Sequence, residues 1–327
     1  LFVTHAALHA ELLLEQGSHP SAPLVFSQIS LILAGALGWQ ARALAVSRRC
    51  LELAADSPLH YKVANSANFI ALWSSPFLQL VDAYDGILAG AMEQGDITAA
   101  ETAWTVRTGL STYGGRHLRL LESEVEQRLR WTQTWGTLGS TGGGPEVIAA
   151  CRRLSEGPAP RPDELDPLGV LSPAPSALHV RADYTLLSAL VLAVFGCWSS
   201  VMTLLDPLLP ELEHKLPRTW YIAMACTLHG VAAAEQAHAS EGPTRSRALA
   251  RLAADARKAA RWTKRGGNLS HVAALLAGEL ARGRGQLERA MQHFAEARRA
   301  LIDQHNPIYE ALVGERLATA LLAAGHD

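Results

Sequence analysis

The stretch ALLAGELARGRGQLERAMQHFAEARRAL, Ala274 to Leu301, sets Gly278, Ala281, Gly285, Ala290, Phe294 and Ala297 at intervals that suit two antiparallel helices joined by a tight turn. Gly285 supplies the turn, because a residue without a Cβ takes positive φ at little steric cost. The small residues on either side let the two helix backbones approach closely. Phe294, one turn beyond Ala290, then fills the groove against a further helix.

The same spacing returns along the chain. In LILAGALGWQARALAVSRRCLELA the turn falls at Gly38, with Ala43 five residues later and Ser47 four beyond that. In LAGAMEQGDITAAETAWTVRTGL it falls at Gly95, followed by Ala100 and Trp104, and in LAVFGCWSSVMTLLDPLL at Gly196, followed by Val201 and Leu205. A single helix pair leaves one apolar face uncovered, so a chain that repeats the pair is expected to stack the copies into a continuous core.

This pattern resembles the tetratricopeptide repeat, most closely in ALLAGELARGRGQLERAMQHFAEA, where the small and aromatic residues occupy the positions that motif gives them. The copies at Gly38 and Gly196 depart from it, with Ser47 in the usual aromatic position and Val201 in the usual small one. Two longer segments, NFIALWSSPFLQLVDAYDGILAGAMEQGDITAAETAW and ELARGRGQLERAMQHFAEARRALIDQHNPIYEALVGERLATALLAAG, are similar to the helical-repeat region of large multidomain signalling ATPases of the AAA and STAND type. Trp73, Pro76, Gly95, Asp96, Ala100, Gly285, Ala290 and the closing EALVGERLATALLAAG carry that likeness. In such proteins the region accompanies an ATPase module and a kinase, sensor or nucleotide-cyclase output. The resemblance implies an all-α, tetratricopeptide-like α-solenoid of stacked antiparallel helix pairs, with no catalytic residue of its own.

Strand signals are nearly absent, and apolar residues recur at helical spacing almost throughout the 327 residues. Gly, Pro and Asn cut the chain into expected helices near 4–16, 22–36, 39–55, 58–73, 76–94, 97–113, 117–135 and 145–155. A second series follows near 180–194, 197–207, 217–239, 244–264, 268–283, 286–304 and 307–324. Between the series, LSEGPAPRPDELDPLGVLSPAPSALHV carries a proline every few residues, and each disfavours helix at the residue before it. The expected organisation is a helical half at 1–155, a Pro-rich linker at 156–179 and a second helical half at 180–327. Leu1 opens inside apolar helical sequence, so the chain reads as an excerpt of something longer.

Composition excludes several function classes. The 29 basic and 31 acidic residues nearly balance, which gives no field to steer nucleic acid or an anionic membrane. No apolar run reaches the roughly 18 residues a spanning helix needs; LLSALVLAVFGCW stops near 13. Cys50, Cys151, Cys197 and Cys226 lie far apart without paired spacing, so they read as buried thiols and neither a zinc site nor a disulfide framework. GSTGGGP lacks the Lys-Ser/Thr pair that closes a phosphate loop. His5, His9 and Glu11 approach metal-ligand spacing without the HExxH order. Glu122, Glu124 and Glu126 read as a solvated helix face, with Glu126 and Arg130 paired at i,i+4. The basic run Arg257 to Asn268, interleaved with Trp262, reads as a helix end capped at Gly266, where cations oppose the dipole.

No catalytic, cofactor-binding or metal residue is therefore assigned. The expected function is a non-catalytic scaffold mediating protein–protein interaction, with partners that are other proteins or other domains of the same chain, as part of a larger assembly. The alternative is a regulatory or sensor segment controlling an attached ATPase, kinase or cyclase module. The expected location is the cytoplasm, with a cytoskeletal or ciliary assembly as the further option if the source is eukaryotic.

Overall fold

The computed structural model describes residues 2–16, 19–35, 37–135, 144–161, 163–169, 178–216, 219–264, 267–302 and 304–325. Among these the chain is all-α, with fifteen α-helices, one 3-10 turn and no strand. The helices are α1 (Phe2–Gln16), α2 (Ala22–Gly35), α3 (Gln40–Leu53), α4 (His60–Ala71), α5 (Phe77–Glu93), α6 (Ile97–Tyr113), α7 (Leu118–Trp135) and α8 (Gly144–Glu156). They continue with α9 (Leu178–Val194), α10 (Trp198–Lys215), α11 (Trp220–His238), α12 (Gly242–Thr263), α13 (Ser270–Gly283), α14 (Leu287–Leu301) and α15 (Pro307–Ala323).

The turn glycines behave as their spacing predicts. Gly38, Gly95, Gly196 and Gly285 all take left-handed φ, at 72°, 66°, 73° and 76°. Three of the turns close with the same bond: the amide after the glycine donates back to Ala91 O, Leu192 O or Ala281 O, at 2.9, 2.8 and 2.9 Å. That is the helix-ending pattern in which a left-handed residue lets the chain satisfy an orphan carbonyl. The Gly38 turn is wider, its Trp39 amide reaching Leu33 O at 2.9 Å. The residues five and nine beyond each glycine are buried in every copy: Ala43 and Ser47, Ala100 and Trp104, Val201 and Leu205, Ala290 and Phe294. Gly278 has its own reason, since a Cβ there would stand 2.6 Å from the Phe294 ring.

Two compact units divide the chain. The first is Leu1–Ser111 with two short returning stretches. In it α2 packs on α1, α3 and α4, and α4 packs on α3 and α5. The Ser30 and Ser47 hydroxyls meet at 2.8 Å, Gln40 donates to Ile70 O at 2.5 Å, and Asn268 donates to Leu72 O at 2.7 Å.

The second unit takes most of the chain from Thr112 onward. Its helices α9, α11, α13 and α15 form a row, each touching the next, and α10, α12 and α14 each bridge two members of that row. Helix α11 is buried on all sides from Trp220 to Ala234, which is why it lacks an amphipathic pattern. Close approach in the row needs Gly230, where a Cβ would meet Leu276 at 2.6 Å.

One helix differs from the sequence-based expectation. The helix expected to stop near 207 continues to Lys215 through Pro207 and Pro210. Leu205, Leu208, Leu209 and Leu212 are buried at helical spacing there, and their packing outweighs the bonds the prolines remove. The division between compact units falls at 111/112, within α6. The described residues 163–169 of the Pro-rich segment belong to the second unit, where Leu168 joins a core cluster with Val147, Cys151, Tyr184 and Leu187. Asp166 in that stretch accepts from the Tyr184 hydroxyl at 2.5 Å and from the Gly169 amide at 3.0 Å.

Candidate functional site

The second unit contains an open cavity of about 740 Å³. It is walled by α7 and α8 on one side, α9 beneath, and the first half of α15 on the other, with Trp198 and Leu228 also contributing. More than half of the wall residues are aliphatic, among them Leu121, Val147, Leu154, Leu187, Leu190 and Leu312. These faces are apolar because each helix carries the 3.6-residue stripe that would otherwise bury against a neighbour. Val194, at the rim, is 62% exposed.

One end of the cavity is different. Arg116, His117 and Arg119 line it at the start of α7. Gly115, at φ 79°, turns the chain there against Pro307, and Asn306 donates to Tyr113 O at 3.0 Å, which pins this loop to the start of α15. Arg116 pairs with Glu124 at 2.6 Å, yet its Nε is buried without a hydrogen-bond partner. Arg119 is exposed.

Beside the cavity, α11, α13 and α15 share a buried charge cluster. Arg282 contacts Glu235 at 2.7 Å and Glu279 at 2.9 Å; Arg316 pairs with Glu235 and lies 3.6 Å from Glu279. The Arg316 guanidinium also lies 4.9 Å from the centre of the Trp198 ring, a cation–π contact. Burial pushes the Glu279 carboxyl up despite both arginines, whereas at Glu235 the two arginines outweigh burial and hold the carboxyl below its usual range. The cluster is two carboxylates neutralised by two guanidiniums, an arrangement that fixes the row of helices.

A second cluster joins α10, α11 and α12. His229 Nδ1 meets Asp255 at 2.5 Å and its Nε2 meets Asp206 at 3.1 Å. Burial opposes the charged ring, but the two carboxylates outweigh it and raise the His229 pKa. Deeper in the unit, burial lifts the Asp183 carboxyl to about 7, with the Tyr221 hydroxyl donating to it at 3.1 Å. None of these buried groups lines the cavity. Among the described residues, no group of three His, Cys, Asp or Glu side chains is arranged to hold a metal ion, and no helix is long and apolar enough to cross a membrane.

The residues singled out in the sequence do not converge. His9 and Glu11 are exposed on α1, and the His5 side chain lies outside the described residues. Residues 136–143 of the Gly-rich loop lie outside them too. The acidic residues of α7 are more engaged than a solvated face: Glu122 and Glu126 both hold Arg152 of α8, at 2.6 and 3.2 Å, while the Glu126–Arg130 pair is at 4.0 Å. In the basic run, Trp262 is buried and Lys258 pairs with Glu213 and Asp255, so Trp262 offers no stacking platform; Gly266 lies outside the described residues. All four cysteines are free and buried, and burial lifts the Cys151 thiol to about 12, with Glu122 adding to it. The cavity and its cationic end were missed. Arg116, His117 and Arg119 at a helix start, where acidic residues are the norm, were the available signal.

No protein-family model matches the chain, and no curated protein is significantly similar to it.

Proposed function

We propose that the chain is a non-catalytic helical-repeat scaffold, a tetratricopeptide-like array of stacked antiparallel helix pairs that holds other protein through the exposed face of α15. The observation that carries this reading is the surface of α15. Gly314, Ala318 and Leu322 are exposed on one side of that helix, and Leu322 is 70% exposed. The same kind of small surface is covered between α13 and α14, where Gly278 lies against Phe294 and Ala281 and Ala290 are buried. A face built for close helix approach calls for another helix, supplied by a partner protein or by further domains of a larger assembly.

Site-specific photo-crosslinking tests this. With p-benzoylphenylalanine placed at Ala318, the purified chain is expected to capture one defined protein from an extract of its source, and with the probe at exposed Arg289 it is not. Equal capture at both positions would overturn the reading, as would ATP hydrolysis or nucleotide cyclisation by the purified chain.

A further inference from the structure

The cavity differs from the α15 surface in being lined by several helices and in carrying two arginines, Arg116 and Arg119, against a single acidic residue, Glu315. We propose that it binds an anionic amphiphile, an unbranched aliphatic chain with a carboxylate head, the chain lying among the leucines of α7, α8, α9 and α15 and the head at Arg116 and Arg119. This proposal stands independently of the scaffold reading.

Volume comes first. About 740 Å³ lies within the roughly 300–1,000 Å³ range of small-molecule sites, which are mostly apolar with a few placed polar groups. The chemistry of the wall then selects the body of the ligand. Leu121, Leu154, Leu187, Leu190 and Leu312 offer aliphatic contact, and Trp198 is the only ring of the Phe, Tyr or Trp type among the lining residues. A planar aromatic or nucleobase would lack stacking partners on two sides, whereas a flexible methylene chain fits such a surface.

The head is chosen by the cationic end. A helix start carries partial positive charge from its unpaired amides and favours anions, yet Arg116 and His117 precede α7, Arg119 lies in its first turn, and that turn has no acidic residue. Glu124, one turn further on, answers Arg116. Arg119 has no ion pair among the described residues, and the buried Nε of Arg116 still lacks an acceptor. Two guanidiniums therefore line the cavity beside the start of α7, and a carboxylate, which guanidinium pairs in bidentate fashion, suits that part of the lining. Glu315, also in the lining and 3.9 Å from Arg316, would repel a second negative charge, which limits the ligand to a single anionic head.

The test is calorimetric titration of the purified chain with dodecanoate below its micellar concentration. One dodecanoate per chain is expected, with a dissociation constant in the micromolar range. Dodecyltrimethylammonium, with the same tail and opposite charge, is expected to bind at least tenfold more weakly. Octanoate, four methylenes shorter, is expected to lose more than tenfold, in line with the area it leaves unburied. Two variants at exposed positions probe the two ends: Arg119→Glu removes the head contact and Val194→Trp narrows the mouth. Each is expected to weaken dodecanoate at least tenfold with the melting temperature of the ligand-free protein unchanged. Equal binding of the cationic amphiphile, several ligands per chain, no heat up to 1 mM dodecanoate, or unchanged affinity in Arg119→Glu would each overturn the proposal.

Discussion

Within the second unit, α13 meets α14 through shape, and the row α11, α13 and α15 is joined in part through charge. In the first contact Gly278 leaves room for the edge of Phe294, and Ala290 and Ala297 are wholly buried beside it. In the second, Glu235, Glu279, Arg282 and Arg316 neutralise one another away from water. The difference has consequences for failure. A shape contact degrades in proportion to the misfit, whereas a buried charge cluster fails abruptly, because removing one member leaves its partners charged and desolvated.

The largest effect is therefore expected at Arg316. Arg316→Met removes one of two cations facing two carboxylates, and the loss is expected to reach about 3–5 kcal/mol, measured by urea unfolding. Adding Glu279→Gln to that variant removes the stranded charge and is expected to recover part of the loss. If the double variant is less stable than the single one, the cluster is not acting through charge balance.

Overpacking the shape contact is expected to cost less. Ala290→Trp inserts a large ring beside Phe294 at a position with no exposed surface, and a loss of about 1–3 kcal/mol should follow. A melting temperature unchanged by Ala290→Trp would mean that α13 and α14 do not meet as the Gly285 spacing requires.

These two contacts were not equally legible in the sequence. Shape was readable because its signals are local: Gly278, Gly285, Ala290 and Phe294 lie within 17 residues, and the left-handed glycine falls where the pattern needs it. Charge was not, because Arg316 stands 81 residues from Glu235 and the pairing exists only once α11 and α15 are side by side. A cation on the otherwise apolar stripe Val313, Arg316, Ala320 was the local hint. The same logic covers the miss in the fold, where α10 passes two prolines because its leucines are buried against other helices. The cavity was hidden for the same reason, since its walls come from α7, α8, α9 and α15 together.

His229 sharpens the comparison, since it places charge between α11 and its neighbours α10 and α12, where shape would otherwise serve. Asp255 and Asp206 hold one ring nitrogen each, and only the protonated ring can donate to both. Lys258 and Arg251 share those carboxylates from α12, and Cys226, its thiol donating to Asp255 O at 3.7 Å, stays neutral because burial pushes its pKa well up. The folded-state pKa of His229 is raised above 6.5, so the folded protein holds this proton more tightly than the unfolded chain. That contribution is fully present below the unfolded pKa and is lost as pH rises through the folded one. Against a His229→Gln variant, whose side chain does not titrate, the wild type should lose stability as pH rises from about 6.5 through the raised folded-state pKa. The loss should be smaller than for Arg316→Met, because the neutral ring keeps one of its two hydrogen bonds. Urea midpoints for both proteins across that range provide the measurement, and parallel pH profiles would show that the two carboxylates do not hold the proton.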